Sequence, residues 1–370
     1  MNAANKKYTV LLLSAPIGSG HKLAAEALEQ VLAANEAVNV VHGNIFDFFP
    51  HFIGTVFLKS YLQMLQHFPW MYKFMYRWGN QENGSLWMKN IINGILAKLG
   101  RKYLENVAPD AVIATHATPA GIVGIYKRSL PHKLFLGAVI TDFTVHKWWI
   151  CQGVDTYFIA DSRLACRLPA AAEIKTFGIP VRQKFAEADG DAVRQEFGWQ
   201  HHDKVCLLLG GGEGLLPMAE IVAALTRAQI TGLQIVAVTG HNSLLERALQ
   251  NSQAKNLAVY GFTERLPEIM AAADIVVSKA GGLTSAEVLS LGKKFIIYKP
   301  LPGQEEGNAV FLQQYYGSVI AKNTDEVADY VRKFSKEAGT AIESADTLRL
   351  QAAEKICTCV LEHIKKNESA

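Results

Sequence analysis

The sequence predicts an α/β protein of two doubly wound, Rossmann-like domains facing each other across a cleft. Three observations lead there. Each half of the chain opens on a continuous apolar run that ends in a glycine-rich loop, YTVLLLS into APIGSGH and KVCLLL into GGGEG. After each opening, short apolar runs alternate with helical stretches, the pattern of a parallel sheet covered by helices. The chain has 370 residues, more than one hydrophobic core commonly serves.

Composition narrows the function classes. Hydrophobic residues make up 49% and charged residues 19%, as in a folded, slightly apolar protein. The net charge of +3 is too mild for a nucleic-acid binder, and no arginine-rich tract is present. It is compatible with contact to an anionic membrane surface. Cys151, Cys166, Cys206, Cys357 and Cys359 form no C-x-x-C pair and are odd in number, which reads as free thiols in a reducing, cytoplasmic setting. The first apolar run ends at a glycine loop, so it reads as strand one and not as a signal peptide. No uninterrupted apolar run of about 18 residues occurs, so any membrane contact is expected to be peripheral.

Tyr8–Ser14 reads as a parallel strand buried on both faces. The following loop has the spacing Gly18-x-Gly20, with Leu23 where a full dinucleotide fingerprint wants a third glycine, so a nicotinamide site is disfavoured. His21 closes that loop before a helix over about 22–35. Two readings stand for it: a residue packed under the loop, or a ligand-site residue at the carboxyl end of strand one. Val38–His42 reads as the second strand. Residues 45–100 then break the rhythm with Phe, Tyr, Trp and Met among Lys59, Lys73 and Arg77. Such a segment is either a helix pair hiding its rings in a core or an aromatic–basic flap at a membrane interface. Strands over about 111–115, 134–141 and 153–159 follow. Asp142 and His146 fall just after the second of these, where Asp142 is either a turn residue or part of the same site as His21. Gly178-Ile179-Pro180 is a stiff turn suited to leaving a domain.

The second half repeats the plan. Strand 204–209 runs into Gly210–Gly214, four glycines in five positions. That is a tight turn or a cradle of backbone amides that includes Gly211 and Gly212. Strands over about 234–238, 258–260 and 273–278 come next. Gly281-Gly282 then lead into a helix carrying Leu283, Thr284 and Glu287, strand 295–298, and a polar loop over 300–306. A glycine turn feeding a helix N-terminus leaves backbone N–H groups unpaired with a favourable dipole behind them, a site for a phosphate. A glutamate on the first turns can accept hydrogen bonds from a sugar diol. Phosphate beside diol means a nucleotide or nucleotide sugar. The expected domains are 1–182, 183–345 and a C-terminal helix over 346–370 packing back on the first.

These residues carry a resemblance. APIGSGH, VITDF with HKWW, GGGEG, and SKAGGLTSAE followed by PLPGQEEGNA resemble the monogalactosyl- and processive diacylglycerol glycosyltransferases of glycosyltransferase family 28. The resemblance implies the GT-B fold, a UDP-sugar donor held mainly by the second domain, an acceptor held mainly by the first, and inversion at the anomeric carbon without a cofactor or metal. Carried over by position, His21 looks like the catalytic histidine and Glu213 like the acidic residue of the GGGE loop. Phe262 falls where the backbone meets the uracil, Thr284 and its neighbours at the diphosphate, and Glu287 at the ribose. Gln304 and Glu305 fall at the sugar hydroxyls. Gly20, Gly211, Gly212, Gly281, Gly282, Leu283 and Asn308 complete the expected donor site, and Asp142 joins His21 and Glu213 as a catalytic candidate.

The expected function is transfer of glucose or galactose from its UDP-sugar to diacylglycerol or a glycosyl-diacylglycerol, on the inner face of the cell membrane. Three alternatives share the motifs: a transferase for a polyprenyl-linked or other hydrophobic aglycone, a nucleotide-sugar epimerase, and a non-catalytic UDP-sugar-binding regulator.

Overall fold

The computed structural model describes residues 7–15, 19–48, 85–131, 133–337 and 350–369. Residues 16–18 of the first glycine loop, and residues 49–84 with most of the aromatic segment, lie outside the described part. The chain divides into two compact units: Met1–Arg182 with Pro302–Gln304 and Gln351–Ala370, and Gln183–Leu301 with Glu305–Leu350.

In the first unit, the strands are β1 (Tyr8–Ser14), β2 (Val38–Asn44), β3 (Ala111–Ala114), β4 (Phe135–Val139), β5 (Thr156–Ile159) and β6 (Glu173–Thr176). They form one sheet in the order β2-β1-β3-β4-β5-β6, with every neighbouring pair parallel. The apolar run of β1 exists because both faces of the sheet are covered: Val10 to Leu13 have no exposed surface. Helix α1 (Ser19–Ala33) packs Ala25, Leu28 and Leu32 into the same core as Val10, Leu12 and Ile113. β6 reads EIKT and escapes a search for apolar runs, because it is the sheet's edge and needs no second buried face.

The second unit repeats the scheme with β7 (Lys204–Leu209), β8 (Leu233–Val238), β9 (Leu257–Tyr260), β10 (Ile275–Ser278), β11 (Lys294–Tyr298) and β12 (Val319–Ala321). Their order is β12-β11-β10-β7-β8-β9, again all parallel. Each sheet therefore reverses its winding once, between β1 and β3 and between β7 and β10. Open α/β sheets bind ligands outside the carboxyl ends of the strands at such a switch point.

The C-terminal part of the chain carries two described helices, because their apolar stripes serve two cores. Thr324–Lys336 puts Val327, Val331 and Phe334 into the second unit's core. Ala352–Ser369 puts Ile356, Val360 and Ile364 into the first unit's core.

A side-chain clamp fixes the base of the second sheet. In the short helix Gly190–Glu196, Arg194 bonds the Asp274 carboxylate at 2.6 Å and the carbonyls of Ala272 and Asp203 at 3.0 and 3.2 Å. Asp274 in turn accepts the Val205 N–H at 2.8 Å. Both partners are mostly buried, and removing Arg194 leaves Asp274 only its longer ion pair, to Lys204 at 3.6 Å. Arg194→Ala is expected to cost about 3 kcal/mol, read as a lowered midpoint in denaturant unfolding; an unchanged midpoint rules the clamp out.

Candidate active site

The first unit gathers its chemistry where β1, β3 and β4 end. His21 is in the first turn of α1, one turn earlier than the 22–35 span expected from sequence, and half-buried Gly20 precedes it. Thr115, the residue after β3, grips it twice. The Thr115 carbonyl lies 2.8 Å from His21 Nδ1, and the Thr115 hydroxyl donates to the His21 carbonyl at 3.0 Å. The Thr141 hydroxyl also lies 2.8 Å from Nδ1. A carbonyl can only accept, so Nδ1 carries a proton. Burial pushes the ring's pKa down to about 4, against the smaller opposing effect of the Thr115 hydrogen bond. The positive end of the helix dipole acts in the same direction as burial. At neutral pH the ring is thus uncharged, protonated on Nδ1, with the lone pair on Nε2.

Two further histidines stand beside it. His116 is the N-cap of helix α3 (Ala117–Lys127), with its Nδ1 accepting from the Thr118 N–H at 3.2 Å. Its ring meets His21 edge-on, centroids 4.9 Å apart at 89°. Burial, then the charges of His21 and His146, hold it well below the ordinary imidazole range. His146 caps the single turn Lys147–Trp149 in the same way, accepting from the Trp148 N–H at 3.2 Å. Asp142 follows Thr141 and is 4% exposed. Gln304, which groups with the first unit, donates its side-chain amide to the Asp142 carboxylate.

The second unit places two glycine loops at its switch point. β7 and β10 end in register, Leu209 beside Ser278, tied by a 2.9 Å hydrogen bond from the Ser278 hydroxyl to the Leu209 carbonyl. Gly210–Gly214 leaves β7 and folds against the loop after β8. Gly211 and Gly214 have φ of 71° and 61°, the left-handed region. A Cβ on Gly214 would lie 2.3 Å from the Thr239 carbonyl oxygen, whereas one on Gly211 would meet nothing within 4 Å. The glycines are therefore divided: Gly214 is needed for packing, and Gly211 leaves an open approach to the backbone. Half-buried Gly212 accepts the His241 N–H at 2.8 Å, and Glu213 is exposed at the loop's tip.

The second loop leads into helix α8 (Gly282–Ser290), capped by Gly281 without a side-chain hydrogen bond. The first intrahelical bond runs from the Ser285 N–H to the Gly281 carbonyl at 2.9 Å. The N–H groups of Gly282, Leu283 and Thr284 thus have no acceptor within the helix. Glu287 is further along the same helix, 3% exposed. The stretch expected as a polar loop over 300–306 is partly helix α9 (Gln304–Tyr316). Its first two turns brace the glycine loop. Asn308 donates to the Ala280 carbonyl at 3.0 Å, and Glu305 pairs with Lys279 at 3.3 Å while accepting the Leu301 N–H at 2.7 Å. Each carboxylate oxygen of Glu305 keeps lone-pair capacity for one more donor.

After β9, Phe262 is 64% exposed and stacks on His241 at 4.5 Å and 8°. Through His241 this flat pair is tied to Gly212. Among the described residues, no three His, Cys, Asp or Glu side chains gather closely enough to hold a metal ion.

Sequence reasoning missed Thr115, Thr141, His116 in its contact with His21, and His241. Thr115 and Thr141 left a signal, a polar residue closing each of the apolar runs AVIA and LFLGAVI and buried with it. His116 and His241 left none, since their partners come from distant parts of the chain.

Residues 21–181 match the family model for monogalactosyldiacylglycerol (MGDG) synthase, and residues 205–357 match the glycosyltransferase family 28 C-terminal domain. The processive diacylglycerol beta-glucosyltransferase of Bacillus licheniformis is 27% identical over 375 residues, covering 97% of this chain and 96% of that one. MurG of Acinetobacter baumannii superposes with a TM-score of 0.63 at 17% identity, over 96% of this chain and 99% of that one. A UDP-GlcNAc 2-epimerase from Neisseria meningitidis, bound to UDP-GlcNAc, gives 0.55 at 15% identity, over 96% and 100%. The protein is a glycosyltransferase of the GT-B fold. It belongs to the monogalactosyldiacylglycerol synthase and processive diacylglycerol glycosyltransferase family within family 28.

Proposed function

We propose that this enzyme transfers glucose or galactose from its UDP-sugar to diacylglycerol or a glycosyl-diacylglycerol at a membrane surface, with inversion. The observation that carries the chemistry is the state of His21: uncharged, fixed as the Nδ1–H tautomer, with a bare Nε2. The acceptor hydroxyl attacks the anomeric carbon and gives its proton to Nε2. The bond from that carbon to the diphosphate breaks, and UDP leaves with the electron pair. One displacement inverts the carbon. The N–H groups of 282–284 and the dipole of α8 face the charge that grows on the departing diphosphate. Phe262 with His241 supplies a flat surface for the base, and Glu287 a carboxylate for the ribose.

The acceptor follows from the relatives, named for diacylglycerol, and from helix α2 (Ser85–Val107). Trp87, Ile91, Ile95 and Leu99 recur every fourth residue and are 61%, 51%, 55% and 50% exposed. Exposed Lys98 and Lys102 lie nearby. An apolar stripe with neighbouring cations suits an anionic bilayer interface. No described helix is long and apolar enough to cross a membrane. Ile91→Asp with Ile95→Asp is expected to abolish co-sedimentation with anionic vesicles while leaving the melting temperature nearly unchanged. Undiminished sedimentation removes the stripe from the membrane contact.

Radiolabelled UDP-glucose and UDP-galactose, offered with diacylglycerol liposomes and with a polyprenyl phosphate, test the whole reading. Mass spectrometry is expected to find hexosyl-diacylglycerol. Label in the polyprenyl product alone replaces the acceptor, and no transfer or donor hydrolysis at all would make the protein a binding regulator.

The pH dependence carries a sign. His21 must be neutral to act, and its pKa is lowered, so its acid limb lies near 4 and not near 6.5. As far as this group governs it, kcat/KM is expected to stay level between pH 7 and 5. A tenfold fall across that interval contradicts a base held neutral by burial.

A further inference from the structure

We propose that His116 is a positioning residue for the transfer: its ring is the wall that keeps His21 upright and uncharged. The proposal rests on reading His21 as the base.

His21 Nδ1 is tethered by Thr115 and Thr141, which fix one edge of the ring. A tether at one atom leaves the ring free to swing about it. The edge-on contact with His116 at 4.9 Å closes that freedom on one side. His116 is itself fixed, by its N-cap bond to the Thr118 N–H and by Trp149, whose ring centre lies 6.5 Å away on a buried side chain. The order of support is thus Trp149, His116, His21. The choice of a histidine at the cap has a consequence that Ser, Thr, Asp or Asn would lack. Any of these accepts the Thr118 N–H equally well. None carries a ring to cover its neighbour and keep water from it. A carboxylate there would also draw a proton onto His21.

Among the described residues, the titratable and charged groups facing this pair are few. His21 and His116 face each other, and His146 acts on His116 from the loop after β4. Asp142 lies in that loop, one residue beyond Thr141, and its carboxylate is bonded by Gln304. An imidazolium at any of the three histidines would repel charge on the others, so the cluster favours the neutral state of each. Nδ1 of His116 accepts, so its neutral ring carries the proton on Nε2.

The test separates wall from cap. His116→Asn keeps an acceptor for the Thr118 N–H and so retains the cap. His116→Phe keeps the ring and loses the cap. In the full-length protein with labelled histidines, the His21 signal is identified by its loss in His21→Ala and followed by NMR from pH 8 to 5. In the parent it is expected not to titrate. In His116→Asn, with nearly unchanged melting temperature, it is expected to titrate within that range and kcat to fall about tenfold or more. In His116→Phe it is expected to remain silent despite a lower melting temperature. A silent His21 in His116→Asn, or a titrating one in His116→Phe, overturns the proposal. Because the titration needs no substrate, it is distinct from failure of the base assignment, which shows as turnover surviving His21→Ala.

Discussion

His21→Ala is expected to lower kcat by a factor of about 10² to 10⁴, with donor affinity unchanged within about twofold. On the proposed mechanism, the size follows from the loss of the base. With His21 gone, the acceptor hydroxyl must give its proton to water, at a site where Nε2 of a neutral, tethered ring otherwise stands ready. The selectivity follows from the chain's organisation. The loops expected to hold the donor, Gly210–Gly214 and Gly281–Thr284, belong to the other compact unit and are braced within it by Asn242, Glu305 and Asn308. UDP titration by calorimetry and transfer rates on the same sample check both halves. Comparable losses in binding and rate would mean that His21 supports the donor; an unchanged rate would remove it from the mechanism. His21→Gln sharpens the result, because an amide keeps the polarity and much of the bulk without the basicity.

Gly214→Ala is expected to weaken donor binding at least tenfold and to lower the melting temperature. Two costs coincide at this residue. Its φ of 61° is disfavoured for an L side chain by about 1–2 kcal/mol. The added methyl would also stand 2.3 Å from the Thr239 oxygen and 2.6 Å from Asn242 Cβ. The first of those neighbours is backbone, so the loop must move. Tenfold in affinity is about 1.4 kcal/mol, within reach of the strain alone. Gly211→Ala is the internal comparison. It bears a similar dihedral cost with open space around it, so its melting temperature is expected to fall less. Equal donor affinity in parent and Gly214→Ala would show that the loop's shape does not matter to the donor.

The sequence by itself determined the parallel α/β architecture. Runs such as YTVLLLS and KVCLLL are apolar without alternation, and only strands covered on both faces tolerate that. It likewise marked the strand-to-helix loops after β1, β7 and β10 by their glycines. His21 and Thr284 were legible for that reason, and the strands β6 and β12 were not, since short or edge strands need no such run. The start of α9 was hidden behind Pro300, Pro302 and Gly303, a run that reads as loop until Asn308 and Glu305 are seen bracing the residues around Gly281.

What the tertiary structure alone decided is the protonation and posture of His21. In the sequence it is a histidine after a glycine, with its partners 94 and 120 positions away. Long-range pairing of strands brings the Thr115 carbonyl to Nδ1 and takes much of the ring away from water, and that desolvation sets the charge. The pattern of residues can nominate a base, but a pKa is a property of surroundings, and the surroundings of His21 come from β3, β4 and the cap of α3.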